Sequence, residues 1–242
     1  DYAAKYRETI LYNKYQSARD TIKKYEAEPP YAYFIPQAQR DPVAPVELLR
    51  RLAFNGVEVK QLSQAVTFEG IRYPQGTWVI PMDQEYGELP RQVLDVQSYP
   101  DLREFPEGPP EQPYDAGGWT LPFQFGVNVT AAATPLTQEV RDALQPVQGT
   151  AVDWTDADDT DISPFDSAPG IGFDTNANAA GIVPTAGRAT GSGSRLVVDP
   201  AQNNSFRAVN RAWQSGGTVR YAAGKYVISG VQRATLNRWV DD

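Results

Sequence analysis

Hydrophobic and polar positions between residues 31 and 81 predict a strand followed by a helix. The apolar run at 31–35 has the length of a buried strand, and Pro36 ends it. Beyond a polar turn, apolar residues recur at steps of three to four, which places them on one face of a helix: Val46, Leu49, Leu52 and Ala53. Gly56 predicts the end of this helix, because glycine adopts the left-handed conformation without a Cβ clash.

Further strands are predicted after this helix. Residues 57–59 alternate apolar and polar side chains, as a half-buried strand does. A hairpin is expected around Glu69 and Gly70, and the segment 76–81 predicts another strand that ends at a proline. The whole segment therefore reads as a β-α-β-β unit.

The same order of elements recurs near the other end of the sequence. The run 196–198 precedes a helix that Gly216 ends, and the apolar residues predicted on one face of that helix are Phe206, Val209, Ala212 and Trp213. Gly-x-aromatic-Val-Ile occurs at both 76–80 and 224–228. This pattern predicts an internal duplication of one β-α-β-β unit. The alternative is that two unrelated α/β units share these general features.

Residues 1–28 predict an N-terminal helix that is rich in tyrosine. Its apolar positions fall at helical steps: Ala4, Leu11, Tyr15, Ala18, Ile22 and Tyr25. Two interpretations are open. The helix packs on its own domain, which is the commoner case for amphipathic helices, or it docks a partner domain.

The hydrophobic pattern is weaker in the remaining segments of the chain. Helices are predicted at 83–99, 137–144 and 231–240, and a buried aromatic-rich strand or pair of strands at 117–127. The proline-rich stretch 101–114 predicts an extended connector on the surface.

The predicted fold class is α/β, with two related β-α-β-β units and a mixed sheet. An N-terminal helix precedes the units, and an acidic segment rich in Gly, Ala, Ser and Thr interrupts them. The expected divisions are the N-terminal helix 1–28, a first α/β unit with its proline-rich connector 29–148, a low-complexity insert or linker 149–194, and a second α/β unit 195–242.

Charge and hydropathy narrow the choice of partners. The chain has 242 residues and a formal net charge of -8, whereas a nucleic-acid-binding face must be basic to neutralise phosphates. We therefore expect no nucleic-acid partner. Because no apolar run has the length that a membrane crossing needs, we expect no membrane span either.

Cysteine and histidine are both absent from the sequence. This excludes a disulfide framework, a thiolate nucleophile, a Cys/His zinc site and a Ser-His-Asp triad built from this chain alone. The sequence opens at Asp1 and its one methionine is Met82, so we expect either a processed protein or a piece of a longer one.

Aspartates crowd within the insert and suggest a calcium loop. Carboxylates at alternating positions can converge on a hard cation, and the candidate ligands are Asp156, Asp158 and Asp161. The spacing departs from an EF-hand, which needs glycine at the sixth position and glutamate at the twelfth. The alternative is a solvated acidic loop.

The loops that follow the first strand of each unit carry polar side chains. In α/β sheets, ligands tend to lie beyond the carboxyl ends of strands. The candidate ligand-binding residues are Arg40, Asp41, Asn203 and Arg207. The alternative is that these are turn and helix-capping residues, with Asp41 and Asn204 as natural caps.

Several segments together resemble a known family. They are 31–36 with 39–42, 46–52 leading to 56–59, 76–81, 114–115 with 118–122, and 204–211. In this order they are similar to the region after the catalytic domain in large bacterial M14-like zinc carboxypeptidases. The resemblance covers most of the chain except the insert.

The resemblance implies a secreted or periplasmic parent enzyme that removes C-terminal residues from peptides. In that family an upstream domain binds zinc through an H-x-x-E pair and a later histidine, and a glutamate acts as general base on the zinc-bound water. None of these residues can be placed here, because the chain has no histidine. Zinc would belong to the parent, and this chain would hold no catalytic residue and no cofactor of its own.

Three functions follow as expectations. The leading one is a non-catalytic accessory module of such a metallocarboxypeptidase, used for packing against the upstream catalytic domain, substrate presentation or assembly. The second is a stand-alone structural or self-assembling extracellular protein. The third is a small-ligand binding module that uses the two strand-end loops.

Overall fold

A computed structural model describes residues 2–96, 100–111, 120–151 and 175–241. The described chain mixes helices with antiparallel sheets and begins with a helix, so the α/β prediction is confirmed at that level. It divides into two compact units, Asp1–Pro36 with Arg51–Val147, and Gln37–Arg50 with Gln148–Asp242. They are called unit 1 and unit 2 below.

Unit 1 contains most of the regular elements. Its helices are α1 (Tyr2–Lys5), α2 (Arg7–Ala27), α4 (Glu88–Leu94), α5 (Leu121–Phe125) and α6 (Gln138–Ala143). Its strands are β1 (Ala32–Ile35), β2 (Lys60–Leu62), β3 (Val66–Phe68), β4 (Ile71–Tyr73), β5 (Trp78–Pro81), β6 (Thr130–Ala131) and β7 (Leu144–Pro146). The boundary between the units falls within α3 (Ala44–Phe54).

The main sheet of unit 1 is antiparallel, in the order β6-β1-β5-β2-β7. Phe34 lies opposite Val79, and Leu62 lies opposite Leu144. The predicted mixed sheet is therefore wrong for the described strands. β1 and β2, which precede and follow α3 in the sequence, do run in the same direction. However, β5 lies between them in the sheet and pairs antiparallel with both.

The predicted strand at 57–59 is also wrong, since β2 begins only at Lys60. Val57 and Val59 are buried as the alternating pattern required. The backbone of Glu58, however, bonds to the side chain of Gln84. Glu58 N donates to Gln84 Oε1 at 2.7 Å, and Gln84 Nε2 donates to Glu58 O at 3.1 Å. A side-chain amide thus takes the place of a neighbouring strand.

The hairpin predicted around Glu69 and Gly70 is confirmed. β3 pairs antiparallel with β4, and Phe68 lies opposite Ile71. Both turn residues have positive φ, 49° at Glu69 and 76° at Gly70. Such a two-residue turn has the backbone twist that matches the flanking strands.

One face of the main sheet forms a core with this hairpin and α6. The ring of Phe34 stacks on Phe68 at 5.4 Å and on Tyr73 at 4.3 Å between centroids. The other buried members of the cluster are Ala32, Leu62, Val66, Val79, Ala132, Leu136, Val140 and Ala143. On the opposite face Tyr33 is buried, and its hydroxyl donates to Asp95 Oδ1 at 2.5 Å. That burial raises the pKa of Tyr33.

The N-terminal helix is confirmed as α1 and α2, but its apolar positions are unevenly buried. Tyr25, near the end of α2, is 1 % exposed. The large apolar side chains nearer the start are largely exposed: Tyr2, Tyr6, Ile10, Leu11, Tyr12 and Tyr15. Most of the helix therefore does not pack on unit 1 in the way a core-facing amphipathic helix does.

Two other predictions in unit 1 differ from the structure. The helix expected over 83–99 is shorter, since α4 covers Glu88–Leu94. Where a strand was expected at 117–127, the described part holds the helix α5, between Thr120 and Gly126 in left-handed conformations. Pro122 at the start of α5 has its φ fixed in the helical range, which favours a helical turn over a strand.

Unit 2 is smaller and follows the predicted order closely. Its helices are α7 (Ala177–Gly181), α8 (Asn204–Gln214) and α9 (Arg233–Asp241), and its strands are β8 (Leu196–Val198), β9 (Thr218–Ala222) and β10 (Lys225–Ser229). The sheet order is β8-β10-β9, and both pairings are antiparallel. Ala212, Ile228 and Leu236 form its core, flanked by partly buried side chains that include Leu196 and Trp239.

The predicted apolar face of α8 is only half correct. Val209 and Ala212 are buried, but Phe206 is 46 % and Trp213 60 % exposed. The buried stripe continues instead through Ser205 and Ala208. Small side chains on this stripe allow a close approach of the helix to a narrow three-stranded sheet, and the larger rings remain outside it.

Among the helices of the described residues, none combines the length and the apolar character that crossing a membrane requires.

Candidate functional site

The two polar loops singled out in the sequence meet within unit 2. Asp41 is 6 % exposed, and its Oδ2 accepts hydrogen bonds from Asn203 N at 3.2 Å and from Asn203 Nδ2 at 2.7 Å. Its Oδ1 accepts from Val43 N at 3.1 Å. One buried carboxylate therefore fastens the loop before α3 to the loop before α8. The bond from Val43 N, two residues along the chain, is a local turn contact, and Asp41 makes it in addition to the bridge.

Asp199 holds the second loop in its shape. Its carboxylate accepts from Ala201 N at 2.9 Å and forms an ion pair with Lys225 of β10. The Lys225 ammonium holds the pKa of the Asp199 carboxyl below its usual range, and the Ala201 N–H and the charge of Arg40 act in the same direction. Asp199 is therefore ionised at neutral pH and already has a cationic partner.

These loops border a cavity of about 530 Å³ that is lined by unit 2 alone. One side is formed by the loop that carries Asp41, and another by the end of β8 with Asp199. The residues of α8 that face it begin at Asn204, and the end of α9 supplies Trp239. The volume lies in the range of about 300–1,000 Å³ that is typical of small-molecule sites.

Three arginines line this cavity: Arg188, Arg207 and Arg211. Arg207 Nη1 donates to Asn204 Oδ1 at 3.5 Å, which is longer than a normal N–H···O hydrogen bond. Arg188 and Arg207 are exposed, and Arg211 is half-buried. The side chains of Arg188 and Arg207 thus remain accessible to a molecule in the cavity.

Most of the remaining lining residues are apolar, although Thr185, Gln202 and Ser205 also border the cavity. The apolar residues include Leu196, Val198, Ala208 and Trp239, which also pack against the core of unit 2. Because these side chains are held by the core, the wall is formed before any ligand arrives. An apolar wall beside a few polar groups is the usual composition of a ligand pocket.

The predicted site residues therefore have different outcomes. Asp41 and Arg207 line the cavity, and Asn203 is bonded to Asp41. Arg40 is exposed and acts on Asp199 through its charge. The candidate calcium ligands, Asp156, Asp158 and Asp161, lie outside the described residues, so the calcium loop remains a prediction.

Sequence reasoning missed Arg188, Lys225 and Trp239 as parts of this site. Lys225 lies within a predicted strand, and Arg188 lies within a segment that resembles a linker, so neither position indicated a site. In the structure this segment is closely packed at Gly187, where a Cβ would meet Val240 O at 2.6 Å. A flexible linker would not need a glycine for that reason.

Searches with family models, with characterised proteins and with solved structures found no significant match to this chain.

Proposed function

We propose that the chain is a non-catalytic accessory module of a secreted or periplasmic, bacterial M14-like zinc carboxypeptidase. The observation that carries this proposal is the ordered resemblance described above. Its segments coincide with framework elements: 31–36 with β1, 46–52 with α3, 76–81 with β5, and 204–211 with the start of α8. A shared framework is what a common fold would preserve.

Within such an enzyme the chain would contribute no zinc ligand through histidine or cysteine, because it has neither residue. Its role would be packing, substrate presentation or assembly. The exposed side chains of α2 support a packing role. Leu11 is 67 % and Tyr12 62 % exposed. Several large apolar side chains exposed along one helix are typical of a contact surface. We propose that this surface of α2 packs against the catalytic domain of the parent enzyme.

The internal duplication belongs to the same proposal. In each copy a helix follows the first strand, and the last strand lies between the first two, antiparallel to both: β1-β5-β2 and β8-β10-β9. Gly56 and Gly216 both have positive φ after their helices. These correspondences support one ancestral unit. Profiles of segments 31–81 and 195–230, built from homologous chains, should align at these glycines; failure to align would contradict the duplication.

The accessory-module proposal predicts a larger native polypeptide. Antibodies against this chain should detect, under denaturing conditions, a protein well above 26.7 kDa, the mass of these residues. The purified protein should contain stoichiometric zinc and release C-terminal residues from peptides, and a chelator should abolish this activity. An unrelated protein from the same source, purified in parallel, provides the zinc background.

A native mass near that of these residues, without zinc, would contradict the proposal. Regular self-association of such a protein would favour the stand-alone structural or self-assembling alternative. The measurement therefore separates the two classes.

A second candidate function is the binding of a small ligand in unit 2. One observation favours it: the hydrogen bonds between Asp41 and Asn203 join the two strand-end loops at the border of a cavity that Arg207 also lines. This candidate does not depend on the peptidase relation.

A further inference from the structure

We propose that the unit 2 cavity binds a small carboxylate with an adjoining apolar group. The carboxylate would pair with Arg207, and the apolar group would lie against Trp239 and its neighbours. The inference rests on the ligand-binding candidate and adds the chemical class of the ligand. It is independent of the accessory-module proposal.

The first argument is the balance of charge in the cavity. Its two aspartates are already satisfied by the protein: Asp41 by Val43 N and by two groups of Asn203, and Asp199 by Lys225 and Ala201 N. Arg207 is bound less completely, since its hydrogen bond to Asn204 is long at 3.5 Å. An anion therefore finds donors here, whereas a cation finds carboxylates that are already engaged.

The second argument is the geometry of the donor. A guanidinium presents parallel N–H groups that match a carboxylate or a phosphate in a bidentate pair. Both anions share this chemistry. The apolar wall favours a carboxylate, because a doubly charged phosphate loses more hydration energy when it enters a partly apolar cavity.

The third argument is the wall itself. Leu196, Val198, Ala208 and Trp239 all line the cavity, and all four pack against the core of unit 2. Placing an aromatic group against such a wall removes apolar surface from water, which is favourable. The cavity of about 530 Å³ accommodates a molecule of the size of an acylated aromatic amino acid.

The test uses the whole chain and three probes that share one aromatic group: N-acetyl-L-phenylalanine, its neutral amide, and phenyl phosphate. Isothermal titration at low salt measures affinity, and the indole N–H signal of Trp239 in a nitrogen–proton correlation spectrum reports the place of binding. We expect the carboxylate to bind at least about tenfold more tightly than either other probe. Its addition should shift the Trp239 signal.

Variants then assign the carboxylate contact. Arg207→Gln should weaken binding of the carboxylate about tenfold or more, and Arg207→Lys should weaken it less, because lysine keeps the charge but not the paired donors. Arg220→Gln on the exposed strand β9 is the matched control and should leave the affinity unchanged. The circular dichroism spectrum of each variant verifies that it is folded.

Each outcome bears on a different claim. Equal binding of acid and amide, unaffected by Arg207→Gln, would overturn the anion assignment and keep the ligand site. Tighter binding of phenyl phosphate would overturn the choice of carboxylate. Failure of all three probes to bind would overturn both the inference and the ligand-binding candidate, while the accessory-module proposal is decided separately by the native mass and zinc content.

Discussion

Replacing Phe34 by alanine is expected to lower the free energy of unfolding of unit 1 by about 3–5 kcal/mol. The side chain is fully buried in β1, and its ring stacks on both aromatic rings of the hairpin, Phe68 and Tyr73. The substitution removes these contacts and leaves a cavity that a sheet cannot readily close. Urea unfolding followed by circular dichroism measures the change.

The matched control is Phe123→Ala in α5. This side chain is 71 % exposed, so the same chemical change should alter the free energy of unfolding by no more than about 0.5 kcal/mol. Similar losses in the two variants would contradict the placement of Phe34 at the centre of the core. Phe34→Leu, which keeps most of the apolar volume, should fall between them.

Replacing Asp41 by alanine is expected to destabilise unit 2 by about 3 kcal/mol. The carboxylate accepts from Val43 N and from two groups of Asn203, and it is nearly inaccessible to water. Its removal leaves donors without an acceptor in a partly buried place, which costs more than the hydrogen bonds themselves contribute. The measurement is again the free energy of unfolding from urea titration.

A double-mutant cycle tests whether Asp41 acts through Asn203. Asp41→Ala and Asn203→Ala should be non-additive by about 1 kcal/mol or more, because either substitution alone breaks the shared contact. Asn210→Ala, on the exposed side of α8, is the control partner and should be additive with Asp41→Ala. A coupling energy near zero for Asp41 and Asn203 would show that the two loops are not joined in solution.

The joined loops matter for both functional candidates. In the accessory-module proposal, which includes an internal duplication, the loops would occupy corresponding positions of the two proposed copies, since one follows β1 and the other follows β8. In the ligand-binding candidate they fix one border of the cavity. Loss of the Asp41 bridge should therefore lower the free energy of unfolding of unit 2 more than it weakens the contact between a ligand and the arginines.

Local sequence patterns determined much of the element order. The runs at β1 and β8, the hairpin at Glu69 and Gly70, and the helix ends at Gly56 and Gly216 were all predicted. These features depend on neighbours within a few residues, through side-chain periodicity and the positive φ that glycine accepts. The sequence contains no histidine and no cysteine, and this alone excluded disulfides, a thiolate nucleophile and a Cys/His zinc site within the chain.

The tertiary structure alone decided which strands are neighbours and where the polar loops meet. Strand pairing joins residues that are far apart in sequence, so no local pattern indicated that β5 lies between β1 and β2. Because of this position of β5, the sheet is antiparallel where a mixed sheet was predicted. The contact of Gln84 with Glu58, and the bridge from Asp41 to Asn203 across 162 positions, arise in the same way. Periodicity records the face on which a side chain lies, but only packing determines what it meets there.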